Sequence, residues 1–330
     1  MKKKILVIGS NSFSGSNFIN FCLSNNYKVI GISRTNQINK IFLTYSENKN
    51  IKNFSFFRCD LNKDIKKLKK IFLKNKPNYV INFAAQGMVA ESWIKPNDWY
   101  QTNIIGQVNL INLIKGFNFV KKFVQFSTPE VYGSTDKWIK EDNKFSPSTP
   151  YAISRAAFDS HILNLSKYFK FPAIITRTAN VFGPGQQLYR VAPRSIVSAI
   201  FKKSFYLHGT GSSERSFIHI DDVSRALDKI LKKGRIGQTY HISTNRLISI
   251  KNLIKLIFKI EKSSFTKNVK FSAERLGKDQ YYKLNSQKMR NNLGWKEKIS
   301  LENGILDTIS WVKKHKNTIK NLNLNYIHKK

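Results

Sequence analysis

Tyr151 and Arg155 stand four residues apart in Pro150-Tyr151-Ala152-Ile153-Ser154-Arg155, where a long helical pattern opens. That spacing puts both side chains on one helix face. A free tyrosine ionises at about pH 10, so a fixed cation beside the phenol is needed to favour its phenolate nearer neutrality. A phenolate so placed could take the proton of a hydroxyl while hydride leaves the same carbon. A second segment, Phe126-Ser127-Thr128-Pro129-Glu130-Val131-Tyr132-Gly133, leaves an apolar run and carries a hydroxyl and a carboxylate. Taken singly, an aromatic and an arginine of this kind are common on any helix surface. The two segments gain meaning only by converging on one place.

Hydride needs an acceptor, and the start of the chain offers a place for one. The run 4–8 leads into Gly9-Ser10-Asn11-Ser12-Phe13-Ser14-Gly15 and then a helix. Glycines there permit a tight turn, close approach of backbone to a pyrophosphate, and helix–strand packing. The helix amino terminus presents unpaired N–H groups and its positive dipole end. Gly9 and Gly15 hold the outer positions, with Ser12 in the middle and Phe13 after it; a generic turn is the competing reading. A second apolar run ends in Gly31-Ile32-Ser33-Arg34, with no acid. An acid would take an adenosine ribose hydroxyl, whereas arginine accommodates a 2′-phosphate, so NADP is favoured over NAD. Arg34 as one more surface cation is the alternative. Cys59-Asp60-Leu61 closes the third run; Asp60 either bonds an adenine amine or is an exposed turn residue.

Positioning these groups requires alternating elements. Strand-like runs fall at 5–8, 29–33, 54–59, 79–83, 123–127 and 173–178, with helix candidates at 18–23, 65–73, 99–114 and 152–168. Such alternation predicts an α/β fold, a doubly wound parallel sheet of the Rossmann kind. Continuous apolar strands agree, because parallel strands are buried on both sides. After Asn180 come Gly183-Pro184-Gly185 and short, widely spaced strands at 216–219 and 240–242. The expectation is a dinucleotide-binding domain over 1–180 and a smaller, partly interleaved substrate domain over 181–330, with later segments returning to the first. From about Lys313 the chain reads as basic, polar and loosely held.

Composition bounds the partners. The 330 residues, 41% of them hydrophobic, suffice for one large domain or two coupled ones. Lys and Arg number 57 against 20 Asp and Glu, a net +37. That balance invites a nucleic-acid reading, yet the lysines are scattered rather than blocked, as in a drift towards Lys, Asn, Ile and Phe. Nucleic acid is therefore not the expected partner, although a positive field would gather an anionic ligand. Cys22 and Cys59 make no redox or metal spacing, and the dispersed histidines make no zinc site. The first apolar run stops at Gly9, short of a secretory core, and no stretch approaches the ~20 apolar residues of a membrane span. A cytoplasmic protein is expected.

The chain resembles the extended short-chain dehydrogenase/reductase family from Lys4 to about Val312, and within it the NAD(P)-dependent nucleotide-sugar 4,6-dehydratases. Asn82-Phe83-Ala84-Ala85-Gln86 is similar to the cofactor-lining strand end of GDP-mannose dehydratases, and the 127–133 run to the dehydratase active-site strand. Glu274-Arg275-Leu276-Gly277-Lys278-Asp279 resembles the nucleotide clamp of dTDP-glucose dehydratases, and the runs 177–185 and 214–218 resemble phosphate-contacting stretches. The resemblance implies that Thr128 and Tyr151 hold and deprotonate a sugar 4-hydroxyl while C4 gives up hydride. Glu130 then removes the C5 proton, water leaves C6, and hydride returns there. It also implies that Ala84, Ala85 and Gln86 line the cofactor, that Asn180, Arg215 and Arg275 pair with a diphosphate, and that the chain is a homodimer through helices 99–114 and 152–168.

Two positions depart from the family. Pro129 stands where the dTDP-glucose enzymes place a proton-donating aspartate, leaving Glu130 to shuttle its own proton or recruit water. Arg155 replaces lysine, and the exchange is not conservative. Gln86 and Arg34 lean towards GDP-mannose, Arg275 and Asp279 towards dTDP-glucose. A 4-epimerase or uronate decarboxylase of the same family shares the Tyr151 step. A non-catalytic dinucleotide or RNA-binding relative is the alternative from another class.

Overall fold

The structure is a computed structural model and describes residues 3–142, 144–274 and 279–328. Its centre is one parallel sheet of seven strands: β1 (Lys4–Ile8), β2 (Lys28–Ser33), β3 (Phe54–Arg58), β4 (Tyr79–Asn82), β5 (Lys122–Ser127), β6 (Ala173–Thr178) and β7 (Thr239–Ile242). Their order is β7-β6-β5-β4-β1-β2-β3. The apolar runs form parallel strands because they feed two cores at once. Ile5 and Val7 enter one cluster while Leu6 and Ile8 enter another, and all four are buried. A strand alternates its side chains between faces, so only a sheet covered on both sides can bury such a run.

The helices that cover it follow in chain order: α1 (Phe13–Ser24), α2 (Ile65–Asn75), α3 (Pro96–Tyr100), α4 (Gly106–Ile114), α5 (Pro150–Phe169), α6 (Val191–Phe201), α7 (Ile220–Lys233) and α8 (Ile250–Ile260). On one face Phe18 and Cys22 of α1 meet Leu227 and Ile230 of α7. On the other, Phe72 of α2, Leu110 of α4 and Phe158 of α5 share a core. A third cluster joins α6, α8 and the helix Leu301–Lys314 through Ile196, Ile257, Phe258, Ile305 and Val312. Beside it lie short two-stranded pairings, Val269–Ser272 with Phe205–His208 and Phe217–His219 with Asn180–Phe182.

All six strands expected in the first half are present in the sheet. The first helix starts earlier than its apolar run, because the Ser12 hydroxyl accepts the Gly15 N–H and caps it. The helix expected over 99–114 runs without a break from α3 to α4, widening into a π-helical stretch at Gln101–Ile105. The strand at 240–242 is β7 and pairs with β6, a later segment that returns to the central sheet. One expectation needs correction. The stretch beyond Lys313 is anchored: Ile319 is buried, and Leu322 and Leu324 pack on the third cluster. Among the described residues no helix is long and apolar enough to cross a membrane.

Topology fixes where a ligand sits. The chain builds β1, β2 and β3 in one direction, then returns to lay β4 on the other side of β1. Loops after β1 and β4 therefore part company, leaving a crevice at the carboxyl edge.

Candidate active site

A groove of about 820 Å³ opens at this edge and is lined from Gly9 through Glu130 and Tyr151 to Arg215. Its floor is the turn after β1. Gly9 has φ +83°, and a Cβ there would stand 2.8 Å from the Ala84 nitrogen. A Cβ on Gly15 would stand 2.3 Å from the Gly9 carbonyl oxygen. Both glycines are thus required by close backbone approach. Ser12 is not a defect: its backbone is extended, and its hydroxyl donates to the Gly9 carbonyl at 2.6 Å while capping α1. Phe13 and Ser14 line the groove, and their N–H groups, at the first helical positions, have no intrahelical acceptor. Two buried polar atoms without partners, Thr178 Oγ1 and Gln186 Oε1, belong to residues that line it. A glycine cradle at a helix start, with unpartnered donors and acceptors above, fits a pyrophosphate-bridged dinucleotide.

The adenosine end is less simple than the residue types imply. Leu61 lines the groove, and so does Asp60. One Asp60 oxygen already accepts the Asn62 N–H at 2.8 Å in a tight turn. Arg34 reaches across the groove, its Nη2 donating to Gln86 Oε1 at 3.3 Å. Gln86 is held at the end of β4 by Asn103, which accepts its N–H at 2.7 Å and donates to its carbonyl at 3.0 Å. Asn103 also donates to Ser154 of α5, tying this wall to the helix that carries Tyr151. Behind Ala84 and Ala85, buried Asn82 accepts the Ala84 N–H and donates to Gln107 and Gln125.

Thr128, Glu130, Tyr151 and Arg155 converge on the middle of the groove. Thr128 ends β5 and caps a short helical turn, Pro129–Tyr132, in which Pro129 fills the first position. Proline suits that position because its missing N–H is one the turn does not use. Burial raises the Glu130 carboxyl above its ordinary range; its own backbone N–H, Arg215 and Arg190 pull it back in part. Burial, and after it the Glu130 charge, also raises the Tyr151 phenol. Arg155, a hydrogen bond with Thr128 and Arg190 act downward without prevailing. The downward pull expected of Arg155 on the phenol is present but outweighed: its Nη2 donates to the Phe126 carbonyl, and Tyr151 faces a carboxylate as well.

At the far end Asn180 and Arg215 line the groove. Arg215 is 8% exposed and donates to the carbonyls of Glu214, Gln280 and Asp279, with its guanidinium 4.2 Å from the Tyr282 ring centroid. Tyr282 donates to Asp279 at 2.8 Å. Arg275 lies outside the described residues. Residue types had not singled out Arg190 or Tyr282. Arg190 lines the groove and bears on both Glu130 and Tyr151, but it is one cation among 57 basic residues. Only its place just after Gly183-Pro184-Gly185 could have marked it.

A switch-point glycine cradle and a Thr-Glu-Tyr-Arg cluster on adjoining carboxyl ends define an extended short-chain dehydrogenase/reductase. The chain belongs to the GDP-mannose 4,6 dehydratase family, whose model matches residues 6–308. It is 32% identical over 327 residues to the dTDP-D-glucose 4,6-dehydratase of Bos taurus, covering 97% of this chain and 91% of the relative. The crystal structure of dTDP-glucose 4,6-dehydratase from Bacillus anthracis in complex with NAD superposes with TM-score 0.85 at 29% identity, over 96% of this chain and 98% of that one. UDP-glucose 4-epimerase from Thermotoga maritima with UDP-glucose gives 0.85 at 28%, over 94% and 99%.

Proposed function

We propose that this chain is a nucleotide-sugar 4,6-dehydratase acting on a nucleotide-diphosphate hexose, with dTDP-glucose and GDP-mannose as the leading substrates. The observation that carries this reading is the convergence of Thr128, Glu130 and Tyr151 in the groove that holds the glycine cradle. When bound, a nicotinamide dinucleotide would supply the redox chemistry, holding the hydride between its loss from C4 and its return at C6. Thr128 orients the 4-hydroxyl and Tyr151 takes its proton. The new ketone acidifies C5–H, and Glu130, drawn towards neutrality by burial, is tuned to accept that proton. With Pro129 in the acid's usual place, Glu130 then hands its proton to the departing C6 hydroxyl, and the proton that Tyr151 took from the 4-hydroxyl is passed back through Glu130 to C5 as hydride adds at C6. Asn180, Arg215 and Arg275 pair with the diphosphate, and Arg190 adds charge beside the reacting carbons.

The dinucleotide is NAD or NADP, held by Gly9, Ser12, Phe13, Gly15, Asp60, Leu61, Ala84, Ala85 and Gln86, with Arg34 favouring the 2′-phosphate of NADP. Arg155 keeps a positive charge under the cofactor side of Tyr151. The working form is a homodimer. Ile105 is 50% and Ile153 42% exposed beside α4 and on α5, leaving apolar surface outward of the sheet. Mass spectrometry of the purified protein with a panel of nucleotide sugars tests the function. Loss of water from one substrate is expected; inversion at C4 without water loss would make it a 4-epimerase, the reading that Pro129 and the Thermotoga likeness favour.

A further inference from the structure

We infer that the segment 325–328 is part of the dinucleotide site, a strap across the groove that retains the cofactor between turnovers. Tyr326 and Ile327 line the groove together with the residues of the glycine cradle. The strap is fastened to three walls. At the end of β4, Gln86 Nε2 donates to the Tyr326 hydroxyl at 3.1 Å and lies 3.2 Å from His328 Nδ1. At α3, His328 Nε2 stands 2.7 Å from Asp98 Oδ2, and the imidazole stacks on buried Trp99 with centroids 5.2 Å apart and planes 9° from parallel. At the start of α6, Tyr326 packs edge-on against Tyr189 at 5.2 Å, and Arg194 donates to Asn325 Oδ1 at 3.3 Å.

The hydrogen-bond roles agree with one another. With the proton on Nε2 facing Asp98, His328 Nδ1 is an acceptor and the Gln86 amide its donor. The same Gln86 presents its oxygen to Arg34. One amide therefore joins the end of β2 to the strap, directly over the groove. The fastenings are hydrogen bonds, one ring stack on Trp99 and one ring-edge contact with Tyr189, and Ile327 is 63% exposed, so little aliphatic area holds the segment down. Such a segment can lift to admit a ligand without disturbing the core.

The inference rests on the dehydratase reading. In that cycle the dinucleotide ends each turnover in the form in which it began, so a strap that slows its release does not slow the reaction. The test compares the full chain with one stopped after Leu324 and with the full-length double variant Tyr326→Ala/His328→Ala. Release of prebound NADH and NADPH is followed by stopped-flow fluorescence on displacement with excess oxidised dinucleotide. Release from both altered chains should be at least about tenfold faster, the scale set by losing one or two net hydrogen bonds. Gel filtration should strip the dinucleotide from them and not from the full chain. Equal release rates would overturn the inference, and so would slower release from the altered chains, which would make the segment a competing plug. If the shortened chain does not fold, the double variant decides. A full chain that takes up neither NAD nor NADP refutes the dinucleotide reading itself, and the strap with it.

Discussion

Replacing Asp159 tests the scaffold on which the whole site depends. Tyr151, Arg155 and Asp159 recur every four residues along α5, so Asp159 points into the molecule on the face that carries the chemistry. Its Oδ2 accepts the Ser127 hydroxyl at 2.9 Å and Arg177 Nε at 3.2 Å, and the Asp159 and Arg177 side chains are both fully buried. The guanidinium is further enclosed by the rings of Tyr132 and Phe145, each 4.7 Å from its centre. Asp159→Ala leaves that cation buried without its counter-charge, and breaking such a pair costs about 3–5 kcal/mol. At roughly 1.4 °C per kcal/mol for a chain of 330 residues, the melting temperature should fall by roughly 4–7 °C. Differential scanning calorimetry and urea unfolding at pH 7 measure it. Because Ser127 immediately precedes Thr128, the surviving folded fraction should also lose turnover. The double variant Asp159→Leu/Arg177→Met, which removes both charges, should recover most of the stability. A loss below about 1 kcal/mol in Asp159→Ala would refute the claim that this pair fixes β5 against α5.

Three further outcomes follow from the site. Glu130→Gln should lower turnover by about 10²–10⁴-fold, the usual worth of a general base. It should leave reduction of bound dinucleotide by substrate visible at 340 nm, and unchanged turnover would remove Glu130 from its role. Gly15→Ala drives a methyl into the Gly9 carbonyl. It should abolish dinucleotide binding in calorimetric titration while the far-ultraviolet circular dichroism stays native; retained affinity would deny the cradle. His241, buried between the Tyr132 hydroxyl at 2.8 Å and the Asn285 carbonyl at 3.1 Å, has its pKa pushed down to about 3 by burial. The unfolded chain then binds the proton more readily, so this group's stabilisation is intact above about pH 6.5 and is lost on acidification. The loss is about 1.4 kcal/mol per pH unit down towards pH 3. His241→Gln should flatten that part of the urea-unfolding profile between pH 6.5 and 4.5.

The sheet was legible because its physics is local. A strand buried on both faces reads as a near-continuous apolar run, as residues 5–8 do. The run 240–242 was legible as a strand but its place in the central sheet was not, because β7 is four residues long and carries Thr239, Tyr240 and His241; its burial is made possible by partners far away in sequence. The glycine cradle and the Tyr151–Arg155 pair were legible as spacings. Arg190 was not, since a uniformly basic chain hides a working cation among idle ones. Nor was the strap: nothing in residues 313–328 announces a docking site, because its contacts are made by Gln86, Asp98, Trp99 and Tyr189. Spacing reports neighbours along one element; it is silent about what a later segment closes over.

The raised ionisations of Glu130 and Tyr151 share burial as their first cause and are linked through the Glu130 charge, which adds to the rise at Tyr151. The pair therefore resists a second negative charge, in the way that closely spaced acids share a proton and titrate as a unit. In the proposed cycle this ordering is useful. A phenolate at Tyr151 is least costly while Glu130 is protonated; once the phenolate has taken the sugar proton, Glu130 releases its own proton to solvent and, ionised, acts on C5. One negative charge passes from one group to the other, and the neutral acid needed for departing water is regenerated at Glu130 itself, which is why Pro129 is tolerated. The consequence is measurable in the half-reaction. Removing the carboxylate charge in Glu130→Gln lifts an upward influence on Tyr151, so the rise of dinucleotide reduction with pH should move to lower pH than in the parent enzyme. Single-turnover absorbance at 340 nm across pH 5.5–9.5 reads that midpoint. A midpoint that stays put, or moves upward, would mean that the two groups ionise independently and that the proton relay is wrong.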